Sequence, residues 1–257
     1  MGGTILNMLT VFIGSLLGLS LGHRLPQAMQ SSVVSGLGLV TLAVGMQNAL
    51  QTGNIIIPLL AVLLGIIVGE TLQIDAALTR FGAWLQTRVS RGQDAGAGLS
   101  EQGRERFITG FVTASLVFCV GPLTFAGSIQ DGMGLASGFQ FLAIKSALDF
   151  FAAIAFAASF GLGVAFTVLT ILIVQGGLAL LGMLLVGALS DPAATSALAS
   201  SPLIIEMSAV GGVLLLGLGI VLLDIKKIRV ANFLPALVIA PLLVAIAGAL
   251  GIPVYPL

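Results

Sequence analysis

Apolar residues in this chain run in long blocks and not in alternation with polar ones. A helix needs about 20 mainly apolar residues to cross a hydrocarbon core. Eight stretches approach or reach that length, over residues 4–21, 31–50, 55–74, 107–129, 139–160, 162–185, 202–223 and 233–250. The fifth and sixth meet at Gly161, a junction that reads equally well as a helical hairpin or as a broken helix. The pattern predicts an all-α, polytopic bundle of about eight spans, a single integral membrane domain over residues 1–257.

Composition removes the soluble alternative. Only 8% of residues are charged and 58% are hydrophobic, against about 25% charged in an ordinary soluble domain. Mean hydropathy is +1.16, which leaves too few polar residues to cover a globule in water, so lipid is the solvent for most of the surface. The first apolar block has no basic residue ahead of it, unlike a signal peptide, and is expected to remain as the first span.

Net charge is zero, which gives no reason to expect nucleic acid as a partner. Charge placement says more, because cytoplasmic loops carry the positive excess. With eight alternating spans, Arg24, then Arg80, Arg88, Arg91, Arg104 and Arg106, then Lys226, Lys227 and Arg229 all fall on one side. That side is expected to be cytoplasmic, with both termini on the other. The remaining basic residue, Lys145, lies inside a span.

The longest connection, residues 75–106, opens with Ile74, Leu78, Phe81 and Leu85 at helical spacing and Trp84 beside the stripe, which predicts a short helix lying on the inner membrane surface. Gly14, Gly18 and Gly22 in the first span, and Gly65 with Gly69 in the third, are GxxxG steps that let helix backbones approach, within the chain or across a homodimer. Spans 2 and 3 (Gly36, Gly38, Gly45, then Asn54 and Pro58) have a counterpart in spans 7 and 8 (Gly211, Gly212, Gly217, Gly219, then Asn232 and Pro235). The two pairs run in opposite directions, in the manner of an inverted repeat, although glycine and proline are common enough in membrane helices to produce the likeness by chance.

Candidate chemistry is confined to residues that lipid tolerates poorly. An ionisable group near the bilayer centre costs about 2.5–3.5 kcal/mol on insertion scales. Lys145 and Asp149 are one turn apart in the fifth span, and about ten residues at roughly 1.5 Å each put Asp149 close to the midplane. They form either a self-neutralising structural pair or an exchangeable ion or proton site. Pro122, next to Gly121, predicts a kinked or broken fourth span whose freed carbonyls could line a cavity. Gln175 is the most deeply placed amide. Cys119 beside the break, and Asp131, Asn7 and Glu206 toward the outer end, complete the candidate set, although interfacial solvation is the ordinary role for the last three.

Other chemistries lack their residues. Cys119 and His23 are the chain's single cysteine and histidine, which leaves no basis for a disulfide, a multi-cysteine metal site or a histidine-rich one. No P-loop, HExxH or GxSxG sequence occurs, so neither an enzyme nor a bound cofactor is expected.

The chain resembles the YqgA/YdfK-like family of bacterial inner-membrane proteins of unknown function. The residues that carry the likeness are Gly3-Thr4-Ile5-Leu6-Asn7, Phe118-Cys119-Val120-Gly121 with Gly127 and Asp131-Gly132, and Lys145-Ser146 with Asp149. Gln175-Gly176, the run from Glu206 to Gly211 and the run from Val230 to Pro235 add to it. The resemblance implies a presumed transport role in the inner membrane. One departure is Gly134-Leu135-Ala136-Ser137, where family members often carry a Gly-Asp pair. The combined expectation is a secondary transporter of a small solute or ion with a midplane polar site. An ion channel and a non-transporting membrane scaffold are the alternatives.

Overall fold

The computed structural model describes residues 1–22, 26–90, 101–120, 122–186 and 201–255, so that His23, Arg24, Arg91 and Gly121 lie outside the described residues. Among the described residues the chain forms α1 (Gly2–Gly22), α2 (Gln27–Ala49), α3 (Ile56–Leu72), α4 (Ile74–Ser90) and α5 (Glu101–Cys119). There follow α6 (Pro122–Gly132), α7 (Ala136–Phe160), α8 (Thr167–Val186), α9 (Pro202–Leu222) and α10 (Ala236–Ala249). Single 3₁₀ turns, Leu162–Phe166 and Val230–Phe233, lead into α8 and α10.

Six helical runs are long and apolar enough to cross a bilayer, and two bent pairs, α3–α4 at 51° and α5–α6 at 66°, bring the number to as many as eight. The bends fall where the sequence predicts them. Pro122 has no amide hydrogen for the Phe118 carbonyl, and the Thr124 hydroxyl donates to that carbonyl instead at 3.3 Å. Gln73 turns left-handed (φ 52°) to end α3, and the Asp75 amide at the start of α4 donates to Asn232 Oδ1 at 2.7 Å. The helix expected after Ile74 is present as α4, where Phe81 stacks on Trp84 and Arg88 lies over the Trp84 ring at 5.3 Å. The junction at Gly161, left open by the sequence, is a break: Gly161 has φ 82° and the chain continues as a 3₁₀ turn.

Packing direction can be read from the glycine contacts. Gly14 abuts Phe150 and Ala153, Gly18 abuts Ile154 and Ala157, and Gly22 abuts Ala158, so α1 and α7 run parallel. Gly38 meets Leu222 and Leu223 while Gly45 meets Gly212, so α2 and α9 run antiparallel; Gly65 on Ala236 and Gly69 on Asn232 give the same sense for α3 and α10. Eight alternating crossings require these directions, with α5–α6 counted once and α4 not at all. Both predicted GxxxG steps are occupied inside the chain. The antiparallel pairing of α2–α3 with α9–α10 is also the relation that the two similar halves of the sequence suggest.

The core centres on α9, the most buried of the membrane-length helices, and α2 is the least buried and least apolar of them. Large residues such as Leu63, Ile67, Ile144, Leu148, Phe151 and Ile173 face outward. In lipid that exposure carries no hydrophobic penalty, and close packing takes over as the force between helices. Gly18→Leu would drive a side chain into the Ile154 carbonyl and separate α1 from α7. Overpacking of this kind costs about 1–3 kcal/mol. The detergent-solubilised variant should melt at a lower temperature and yield less monodisperse protein, whereas Gly36→Ala, which meets nothing within 4 Å, should match wild type.

Candidate functional site

Asp149 is held from two helices. Lys145, one turn earlier on α7, forms an ion pair with its Oδ2, and the Asn7 amide of α1 donates to the same oxygen at 3.0 Å. All three residues are buried. Two charges removed from water persist only where close geometry and further hydrogen bonds offset the lost hydration. Asn7 supplies such a bond because Gly3 and Gly14, on either side of it, lie against Leu142 and Phe150 and leave room for the two backbones to touch.

The ion pair forms part of the wall of a cavity of about 590 Å³ between α2, α5, α6, α7 and α9, a size that suits a small ligand. Thr41, Gln47, Asn48 and Gln51 line it from α2 and the residues just after, and Val117, Val120, Leu123 and Thr124 line it from both sides of the α5–α6 break. Asn48 Nδ2 is buried and has no hydrogen-bond partner. The broken helix, the ion pair and the polar face of α2 therefore meet at one place.

The other sequence candidates lie elsewhere. Cys119 is buried as a free thiol and is not on the cavity wall. Pro122 begins α6, and its predicted partner Gly121 is outside the described residues. Gln175 on α8 is fully buried, lies off the cavity wall, and has neither Nε2 nor Oε1 hydrogen-bonded.

Asp131, Asn7 and Glu206 are buried, not solvated at an interface. Asp131 Oδ2 accepts from the amides of Gly3 at 3.1 Å and Thr4 at 3.4 Å, which are first-turn donors of α1 with no partner in their own helix. A carboxylate from α6 thus caps α1. Gln130 is buried beside it and accepts from Ser137 at 2.8 Å.

Glu206, at 0% exposure, accepts from the Thr52 hydroxyl at 2.6 Å and the Gly53 amide at 3.1 Å. The Tyr255 ring packs on Gly53. Burial, followed by the Glu206 carboxylate, pushes the Tyr255 phenol up to about 12.

Some structural residues carried no sequence signal as a group. Arg106 donates from Nε to the Ser159 carbonyl and from Nη2 to Gln30 Oε1, both at 2.7 Å, tying the last turn of α7 to α2. Thr52 with Gly53, and Tyr255, gather around Glu206 from two distant parts of the chain.

A family model described as "Protein of unknown function (DUF554)" matches residues 2–245. The chain belongs to this family. Among DUF554 relatives, the "Uncharacterized protein YqgA" of Escherichia coli (strain K12) is 32% identical over 240 residues, which cover 93% of this chain and 94% of that protein. The "Uncharacterized membrane protein YdfK" of Bacillus subtilis (strain 168) is 24% identical over 256 residues, 98% of this chain and 99% of that one. No solved structure matches. Family and fold agree on a membrane protein, and neither relative's name carries an activity.

Two outcomes follow from these geometries. Removing one member of a buried pair costs about 3–5 kcal/mol, while replacing both by apolar residues is often close to neutral. Asp149→Leu alone should lower the thermal midpoint in detergent sharply, and Lys145→Met combined with Asp149→Leu should recover most of the loss. For Tyr255, phenolate absorbance of the folded protein should titrate near 12 and move down in Glu206→Gln while staying above the free-tyrosine value of about 10, because burial, the larger cause, remains. A raised phenol pKa means that the folded chain keeps this proton after the unfolded chain has lost it. The associated stability is present below about pH 10 and is lost as pH rises toward 12.

Proposed function

We propose that this protein is a secondary transporter of a small solute or ion, with its binding site in the cavity lined by Lys145 and Asp149. The observation that carries this reading is a buried, ionisable pair on α7, tied to a second helix through Asn7, on the wall of a ligand-sized cavity at a broken helix. Transporter sites are expected near the midplane, at discontinuous helices, and an ionisable residue at depth in a membrane is by default a functional group.

Lys145 acts as an exchangeable counter-charge in this scheme. When a substrate or proton takes up one member of the pair, the other is left without its partner in a poorly solvating site, and the cost of that state couples binding to rearrangement of the helices. The α5–α6 break is where such rearrangement meets least resistance, because Pro122 has already removed one backbone hydrogen bond. The protein has no catalytic role in this reading.

In this reading the chain sits in a bacterial inner membrane, and the positive-inside rule would put Arg80, Arg88, Arg104, Arg106, Lys226, Lys227 and Arg229 on the cytoplasmic side and both termini outside. A homodimer is compatible with this topology but needs surfaces other than the GxxxG steps. Those already pack against α7 and α10.

Asp149→Asn keeps the shape of the side chain and removes its charge. Wild type and variant, each reconstituted in liposomes loaded with a pH-sensitive dye under an imposed potassium diffusion potential, would be challenged with a panel of inorganic ions and small organic solutes. Wild type should show flux dependent on at least one of them, and the variant should lose at least tenfold. Equal flux through both would remove Asp149 from the mechanism, and flux proportional to the gradient with no sign of saturation would favour a channel.

A further inference from the structure

The cavity at Lys145 and Asp149 does not stand alone along its helices. A second cavity of about 500 Å³ is lined by Gln30, Ser31, Val34 and Ser35 of α2, Ser159 of α7 and Leu222 with its two successors. On α2 the residues lining the two cavities recur every three or four positions, through Ser31, Val34, Leu37, Thr41, Val44 and Asn48, so both open on one face of that helix. On α7 the lining positions Lys145, Asp149, Ala152, Phe156 and Ser159 follow the same spacing. The two cavities are therefore successive parts of one seam between α2, α7 and α9.

The seam runs most of the length of α2, and its lips face lipid. Val40 and Leu148 are each 61% exposed and Phe151 is 69% exposed, and all three line the larger cavity. A route for a bare ion or a sugar would be expected to be walled off from the hydrocarbon. Here instead Thr41, Asn48, Lys145 and Asp149 are buried at the bottom of a groove whose rim is apolar and open to the side. That combination fits a molecule with a polar head and an apolar body.

The donors in the seam indicate the sign of the head. Asp149 is already met by Lys145 and by the Asn7 amide. An ammonium carries three N–H groups, so Lys145 retains donors after its bond to Asp149. Asn48 lines the same cavity, and its Nδ2 is buried and unpartnered. Donors left over at the bottom of a poorly hydrated groove suit an acceptor-rich, anionic head.

Resting on the transport reading above, we propose that the substrate is a membrane-resident amphipath with an anionic head, which sits between Lys145 and Asn48 while its apolar part lies across the α2–α7 lips in the bilayer. A long-chain carboxylate and an alkyl phosphate share this chemistry, and the experiment separates them.

Thermal midpoints of the purified protein in nanodiscs would be measured with sodium decanoate and dodecyl phosphate, each below its own micelle concentration, and with acetate, inorganic phosphate and dodecylammonium as controls. One or both of the long-chain anions should raise the midpoint by several degrees, and the one that does so identifies the head. Acetate, phosphate and dodecylammonium should not. Asn48→Leu, which removes the free donor and leaves the ion pair intact, should lose the shift. Leu148→Trp, which fills the lipid-facing lip and leaves every polar group in place, should lose it too.

Equal shifts with the headgroup-only anions, a shift with dodecylammonium alone, no shift with either long-chain anion, or an undiminished shift in Leu148→Trp would each overturn the proposal. Failure here alongside Asp149-dependent flux of a water-soluble solute would leave transport standing with a different substrate. Amphipath binding without Asp149-dependent flux would instead leave the site standing and remove transport.

Discussion

Hydrocarbon offers no hydrogen bonds, so the buried acids of this chain take their partners from within the protein, largely from other segments, and those ties shape the bundle. Asp131 meets the free amides at the start of α1, Asp149 meets Lys145 and Asn7, and Glu206 meets Thr52 and Gly53. Each buried acid joins segments far apart in sequence, and two of the three hold α1. Arg106 does similar work at the opposite end of the bundle, where it ties the last carbonyls of α7 to Gln30.

Those polar ties are possible because glycine has already brought the backbones together. With lipid as solvent, apolar surface gains little by leaving the outside, and contact between helices depends on close packing and on polar bonds. Gly14, Gly18 and Gly22 let α1 lie on α7, which brings Asn7 within reach of Asp149. The same logic holds at Gly65 and Gly69, where α3 lies against the turn that carries Asn232, whose side chain in turn accepts from the first residues of α4. Helix contact and polar chemistry are in this sense one device, in which the small residue sets the distance and the polar residue uses it.

α2 departs from this pattern. It is the least buried and least apolar of the long helices, and its polar face lies along two cavities without being packed shut by α7. Its exposed serines, Ser32 and Ser35, satisfy their hydroxyls on the carbonyls of Ala28 and Ser31 in their own helix, which allows them to remain in a thin hydrophobic environment. Asn48 has no such internal solution for its amide. A helix packed on α9 through Gly38 and Gly45 but open along its polar face, beside a broken helix and an ion pair, is the part of this molecule best suited to change shape around a ligand.

Much of the architecture was legible in the sequence because a bilayer imposes a length on each apolar block and a side on each basic residue. The all-helical bundle of membrane-length runs, the break at Pro122 and the helix that follows Ile74 all follow from local rules. Relations between residues did not follow, since hydropathy gives depth along the membrane normal but not angle around a helix or identity of neighbour. Gln175 is as deep as expected yet off the cavity wall, Asp131 and Glu206 belong to packing contacts rather than to an aqueous edge, and Asn7 is joined to Asp149 across 142 positions. Depth was a property of the chain's order; which deep residues share a cavity was decided only when the glycine faces fixed how the helices rotate against one another.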